Sequence, residues 1–234
     1  NEACGSQNTE RMASLTKEKG VDIGIALDGD GDRVIFADEQ GRIVDGDAVM
    51  AFCGRDMIHS GDLPHNTVVA TVMSNIGLEL ALKEVGGNLI RTDVGDRYVV
   101  EEMRRSDYLL GGEQSGHLIF REYTTTGDGI ITALQVLAIM KRTGLRISEL
   151  AGQMKRLPQV LLNVRVERKA PLEELPGVQE EVQRVENELG DSGRVLGRYS
   201  GTEPLLRDMI EGPESDLIDR YAGEIAEKPR KDLG

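Results

Sequence analysis

The chain has 234 residues, a net charge of −13, 39% hydrophobic and 3% aromatic residues, and no tryptophan. The acidic balance argues against a nucleic-acid-binding surface, no apolar run reaches the ~18 residues of a membrane span, and the few aromatics make stacking a minor mode of recognition. Cys4 and Cys53 lack metal-ligand spacing, and with no signal-peptide pattern they read as free thiols in a reducing cytoplasm.

In chain order, Asn1 to Gly20 reads as a loop and a short polar helix. Val21 to Leu27 and Val34 to Ala37 read as strands joined by an acidic loop, with a turn at Gln40-Gly41. A helix from Asp45 to Met57 follows, capped by Asp45 or Asp47. Thr67 to Met73 is a β-branched strand, and Ser74 to Val85 an amphipathic helix that Gly86-Gly87 ends. Asn88 to Thr92 is a strand and Asp96 to Arg104 a helix that Asp96 could cap. Leu109-Leu110 lead into a glycine-rich loop, Gly111 to Gly116, before the strand His117 to Phe120. Asp128 to Lys141 is the most regular helix, with an apolar stripe at Ile131, Leu134, Leu137 and Ala138. This alternation predicts an α/β layer domain up to about Met154. Beyond Pro158 the order changes to strand (Gln159 to Val166), helix (Val178 to Leu189), strands (Arg194 to Tyr199, Leu205 to Glu211) and helix (Glu214 to Glu227). That order predicts a separate small α+β domain. Within it, Asp208 shares a strand face with Leu206 and Ile210, so the strand is expected to be distorted or exposed unless the carboxylate has a partner.

The acidic loop, Asp28-Gly29-Asp30-Gly31-Asp32-Arg33, carries the strongest chemical signal. The glycines let the backbone curl so that carboxylates at alternate positions converge. Converging carboxylates repel unless a cation sits between them, and a hard divalent ion fits best. A solvated acidic turn is the bland alternative. A calcium loop is the sharper one: with Asp28 at position 1, Asp30, Asp32 and Glu39 fall on 3, 5 and 12. Arg33 occupies the position that needs glycine there, and strands rather than helices flank the loop. A metal at a strand end beside an arginine suits phosphate chemistry better.

Three further motifs stand out. In Gly111-Gly112-Glu113-Gln114-Ser115-Gly116-His117, Glu113 and Ser115 would face the same way in an extended loop, where a carboxylate and a hydroxyl can grip vicinal sugar hydroxyls. Spacing alone weighs this evenly against a solvated turn, and His117 by itself reads as structural. Arg198-Tyr199-Ser200-Gly201-Thr202-Glu203-Pro204, with Arg207 close behind, can form a backbone anion nest flanked by guanidinium groups, as against an ordinary Ser/Thr turn. In Val94-Gly95-Asp96-Arg97-Tyr98, a cationic Arg97 in the first turn of a helix hints at an anionic partner, though an ordinary helix start is equally compatible.

Together, and in this order, these motifs resemble the C-terminal part of the α-D-phosphohexomutases, most of all their bacterial phosphoglucosamine mutase branch. The resemblance spans essentially the whole chain. It implies a three-layer α/β/α domain over 45–156, preceded by the end of a similar metal-binding domain (1–44) and followed by a small α+β, TATA-box-binding-protein-like domain (157–234). It implies Mg2+ on Asp28, Asp30 and Asp32, with Arg33 beside metal and substrate as the catalytic group. It implies sugar binding by Glu113 and Ser115, with His117 and Arg97 near the substrate. Arg198, Ser200, Gly201 and Thr202 would hold the phosphate not being transferred, with Arg207 near that loop. The implied reaction interconverts glucosamine 6-phosphate and glucosamine 1-phosphate through a 1,6-bisphosphate and an enzyme phosphoserine, feeding amino-sugar and cell-wall precursor synthesis in the cytoplasm. Phosphomannomutase/phosphoglucomutase relatives and a non-catalytic phosphosugar-binding module are the alternatives. No phosphoserine motif occurs here, so the chain is expected to be roughly the last half of such an enzyme, with the missing N-terminal domains as partner, no nucleic acid or membrane, and a homodimer left open.

Overall fold

The computed structural model describes residues 2–165, 175–199 and 205–232, and the chain divides into two units, 1–155 and 156–234. The first unit opens with α1 (Glu10–Lys19), ended by Gly20 in the left-handed conformation. It lies against a three-stranded antiparallel sheet of β1 (Ile23–Leu27), β2 (Val34–Asp38) and β3 (Ile43–Val44). Contact is close at Gly24, where an added Cβ would lie 2.1 Å from Thr16 Oγ1. The central strand, β2, is buried throughout.

A second sheet runs in the order β5-β4-β6-β7. β4 (Thr67–Thr71) pairs in parallel with β5 (Asn88–Thr92) and β6 (Leu110–Gly112), and β7 (Leu118–Phe120) returns antiparallel to β6. Alternation along β4 splits its side chains between two layers. Val68 and Ala70 join the core beneath α2 (Gly46–Ser60), α3 (Ile76–Lys83) and α5 (Gly129–Thr143). Val69 packs with Val99 and Met103 of α4 (Asp96–Arg105) on the opposite face. A short helix, α6 (Ile147–Ala151), closes the unit with Ile147 and Leu150 buried. The three-layer expectation holds.

Three local expectations do not. Gly111 and Gly112 belong to β6 rather than to a loop. An added Cβ at Gly111 would lie 2.7 Å from Met103 Sδ and 2.8 Å from the Val69 carbonyl, so glycine admits α4 onto the strand. Asp96 is the first residue inside α4, and Gly95, at φ 133°, holds the cap position. The stripe expected on α5 faces the wrong way: Thr132, Ala133, Val136 and Ile139 are buried, while Leu134 is 59% and Leu137 37% exposed. The start of the helix sets its rotation, because Asp128 accepts from Ile130 N and Ile131 N, and Gly129 N donates to the Gly31 carbonyl at 2.9 Å.

The second unit is a three-stranded antiparallel sheet in the order β8-β10-β9, from β8 (Gln159–Arg165), β9 (Arg194–Tyr199) and β10 (Leu205–Glu211). Helices α7 (Pro176–Leu189) and α8 (Ser215–Asp232) pack on it and on each other, over a core of Val185, Leu189, Ile210, Ile218 and Ile225. This is the expected α+β order. β10 is neither distorted nor exposed: it pairs in register on both sides, and Asp208 is 1% exposed. No helix among the described residues is long and apolar enough to cross a membrane. Cys4 is exposed and Cys53 buried; burial and then the charge of Asp56 push the Cys53 thiol far above its usual range.

Candidate functional site

The acidic loop is the tip of the β1–β2 hairpin. Its ends are tied by Asp28 N to the Arg33 carbonyl and by Arg33 N to Asp28 Oδ1, at 3.3 and 3.1 Å. Gly31 turns with φ 76°, a left-handed value that side chains resist. The turn gathers the carboxylates: one ligand oxygen each from Asp28, Asp30 and Asp32 lies within 4.8 Å of the others. Their electrostatics record the crowding. Burial works to raise Asp28, but hydrogen bonds from the Arg33 backbone and Asp32, with the Arg33 charge, hold it below its usual value. Asp32 is pushed up by burial and by its neighbour Asp28, with His117 offsetting part. Three hard oxygen donors at this spacing suit Mg2+ or Ca2+ rather than a softer ion. Glu39, the twelfth residue of a calcium loop, instead accepts from Ser148 Oγ at 2.5 Å.

His117 joins this loop to the next motif. It is 3% exposed, and both ring nitrogens are engaged. Gly127 N donates to Nε2 at 3.1 Å, so Nδ1 carries the proton and donates to Asp32 Oδ2 at 3.0 Å. The backbone adds a bridge between Arg33 and His117 and a bond from Val34 N to the Gly116 carbonyl at 3.1 Å. Glycine is required on both sides: a Cβ at Gly127 would strike the imidazole at 2.4 Å, and one at Gly116 (φ 92°) would lie 2.2 Å from the Val34 carbonyl.

Glu113 and Ser115 converge through a turn, not an extended loop. Glu113 N donates to the His117 carbonyl and Gly116 N to the Glu113 carbonyl. Ser115 Oγ then reaches Glu113 Oε2 at 3.3 Å, and Glu113 Oε1 accepts from Gly95 N at 3.2 Å. The Val94–Tyr98 motif is thereby held at the clamp. Arg97 beside it is exposed, stacked over the Tyr98 ring at 4.4 Å with Nη2 donating to the Tyr98 hydroxyl at 2.7 Å. Arg33 Nε is buried without a hydrogen-bond partner, in an ion pair 4.0 Å from Asp28 Oδ2.

The first unit therefore brings together Asp28, Asp30, Asp32, Arg33 and His117, and pairs Glu113 with Ser115, while the exposed Arg97 side chain meets Tyr98. In the second unit the backbone of Arg198 pairs in register with that of Arg207 across β9 and β10. Ser200, Gly201 and Thr202 lie outside the described residues. Sequence reasoning missed Cys4 to Asn8, which together with the acidic loop line a cleft of about 470 Å3. Ser6 Oγ is buried beside it without a partner, and no local pattern announces that role.

The family models for phosphoglucomutase/phosphomannomutase match two successive stretches: the alpha/beta/alpha domain III over residues 45–157 and the C-terminal domain over 161–228. The chain belongs to this phosphohexomutase family. Among its relatives it is similar to the phosphoglucosamine mutases of Syntrophotalea carbinolica, 58% identical over 234 residues, and Nitratidesulfovibrio vulgaris, 56% over 233. Those matches cover 100% of this chain but 51% and 52% of the relatives, so the chain spans about half their length. The fold is shared with an N-acetylphosphoglucosamine mutase from Aspergillus fumigatus, solved with GlcNAc-6P and magnesium (TM-score 0.74, 22% identity, 97% of this chain and 56% of that one). It is shared too with a phosphoglucomutase/phosphomannomutase family protein from Burkholderia thailandensis (TM-score 0.75, 18% identity, 98% and 51%).

Proposed function

We propose that this chain is the C-terminal part of a phosphoglucosamine mutase, interconverting glucosamine 6-phosphate and glucosamine 1-phosphate through a 1,6-bisphosphate in the cytoplasm. The observation that carries the reading is the convergence of Asp28, Asp30 and Asp32 on one hairpin tip, locked through His117 to the loop bearing Glu113 and Ser115. The choice of an amino sugar follows the phosphoglucosamine mutases with which the chain shares 58% and 56% identity. Residues 1–44 are proposed as the end of the metal-binding domain, 45–156 as the sugar-binding domain and 157–234 as the phosphate-binding domain. The partner is the N-terminal part of the enzyme, which brings the phosphoserine.

Mg2+ on the three aspartates would neutralise charge as a phosphoryl group passes between that serine and the sugar. Arg33 adds a fixed positive charge beside the same oxygens. The Ser115–Glu113 hydrogen bond is long enough to exchange for sugar hydroxyls, the carboxylate accepting and the hydroxyl donating. Arg198, Ser200, Gly201, Thr202 and Arg207 would hold the phosphate not being transferred, and Arg97 would meet the sugar phosphate near the clamp. A single clamp and a single phosphate pocket must accept the sugar in both orientations, because the bisphosphate turns over within the site.

Two measurements test this. The chain alone is expected to show no mutase activity, since the phosphoryl carrier is elsewhere; turnover of glucosamine 6-phosphate by the purified 234-residue chain would refute it. Asp30 is exposed, so Asp30→Asn is expected to leave the fold intact and weaken Mg2+ binding about tenfold or more, roughly 1.4 kcal/mol. Equal Mg2+ isotherms for both proteins in titration calorimetry would remove Asp30 from the metal set, and a clear preference for Ca2+ would favour a calcium site.

A further inference from the structure

Two buried carboxylates face different fates on β10. Glu211, fully buried, stands opposite Arg194 on β9 and is paired with its guanidinium. Asp208 stands opposite Gly197 on one side and Leu162 on the other. Neither neighbour can donate from a side chain, and Asp208 Oδ2 has no hydrogen-bond partner among the described residues. Tyr199, on the same sheet face one step diagonally away, likewise has a buried hydroxyl without a partner. Two unsatisfied polar groups on one face of a small sheet are unusual, since each costs about 1–3 kcal/mol when left unmade.

Asp208, 1% exposed, lies at the floor of a cleft. A cleft of about 870 Å3 lies along α7, and Gly197 and Asp208 are its contributions from the sheet. Gly197 has no side chain to cover the carboxylate. The rest of the wall mixes the apolar Val178 and Val182 with the amides Gln179, Gln183 and Asn187, and Gln183 Nε2 donates to Asn187 Oδ1 at 3.3 Å. Glu180 and Glu186 add negative charge. The cationic residue on the wall, Arg184, is committed to Glu181, Glu188 and Glu224. The cleft thus offers acceptors, a net negative field and one buried carboxylate that no cation among the described residues neutralises.

We propose that this cleft binds a small primary ammonium compound, whose head group pairs with Asp208 and takes further acceptors from the Gln183 and Asn187 side-chain carbonyls. An ammonium head brings three donors and no acceptor, matching a wall rich in acceptors. A divalent metal would call for more anionic oxygens close together than one buried carboxylate supplies. The site lies on the helix-covered face of the sheet and does not depend on the mutase reading.

The test uses the full chain and ethanolammonium chloride as probe, with ethylene glycol as neutral isostere and tetramethylammonium chloride for ionic strength. At pH 8 the Asp208 carboxyl is ionised, its pKa being raised to about 6 by burial. Its side-chain 13C resonance is expected to move saturably with ethanolammonium, at a Kd on the order of millimolar, and not with either control. In Asp208→Asn the accompanying shift of the Gly197 amide should disappear. Absence of a saturable Asp208 shift up to about 100 mM probe, roughly a hundred times that Kd, overturns the proposal even if the variant fails to fold. An unchanged Gly197 response in a folded Asp208→Asn overturns it as well.

Discussion

Replacing Asp208 with valine is expected to stabilise the C-terminal unit by about 3 kcal/mol at pH 7. Burial raises the Asp208 carboxyl from 3.8 to about 6, and each unit corresponds to about 1.4 kcal/mol. The sign follows from proton counting. Between the two values the folded chain keeps a proton that the unfolded chain has released, so stability falls as pH rises from about 4 to about 6 and is flat above. The charged groups on the cleft wall facing it are Glu180, Glu186 and the already paired Arg184, so no free cation among the described residues of that wall reverses the trend. Valine removes the ionisation, suits a strand and fits beside Gly197. The gain should therefore be much smaller at pH 4 than at pH 7. Chemical denaturation of the two proteins at both pH values checks this, and equal differences at the two would show that Asp208 does not titrate between them.

Gly116→Ala is expected to have the opposite effect on the first unit, destabilising it by ~3 kcal/mol or more. Two costs combine. The residue sits at φ 92°, and its new Cβ would stand 2.2 Å from the carbonyl oxygen of Val34, which is backbone and cannot rotate aside. Relief requires the β2 end and the Glu113–His117 turn to separate, which breaks the bond from Val34 N to the Gly116 carbonyl and withdraws His117 from Asp32. Mg2+ affinity should fall together with stability. A loss under about 1 kcal/mol, or a variant that binds Mg2+ as the parent does, would mean that the hairpin and the turn are not coupled in this way.

The carboxylates of the acidic loop could be recognised from the sequence because their convergence is local: glycines between alternate aspartates leave few other arrangements. Glu113 and Ser115 were visible for the same reason, although their geometry is a turn rather than an extended strand. The tie between Asp32 and His117 was not legible, since 85 positions separate them and only the packed hairpin and turn bring them together. The β-α-β-β-α order of the second unit could be read from alternation and breaks. The rotation of α5 could not, because the helix is apolar on more than one side and Asp128 with Gly129 fixes which side turns inward. The glycines of β6 misled as loop formers, when their use is to admit Met103 and α4. Asp208 stands out in the sequence by its position among apolar residues, and the regular strand around it comes from cross-strand pairing that no single-strand pattern contains.

The contrast between the two cysteines has a practical consequence. Cys53 is sealed in the core with its thiol held protonated, whereas Cys4 is exposed on the wall of the acidic cleft. A maleimide dye at neutral pH should couple at one position only, without mutagenesis. The unaltered chain then carries an optical reporter next to the carboxylate triplet, so that cation occupancy can be followed by fluorescence.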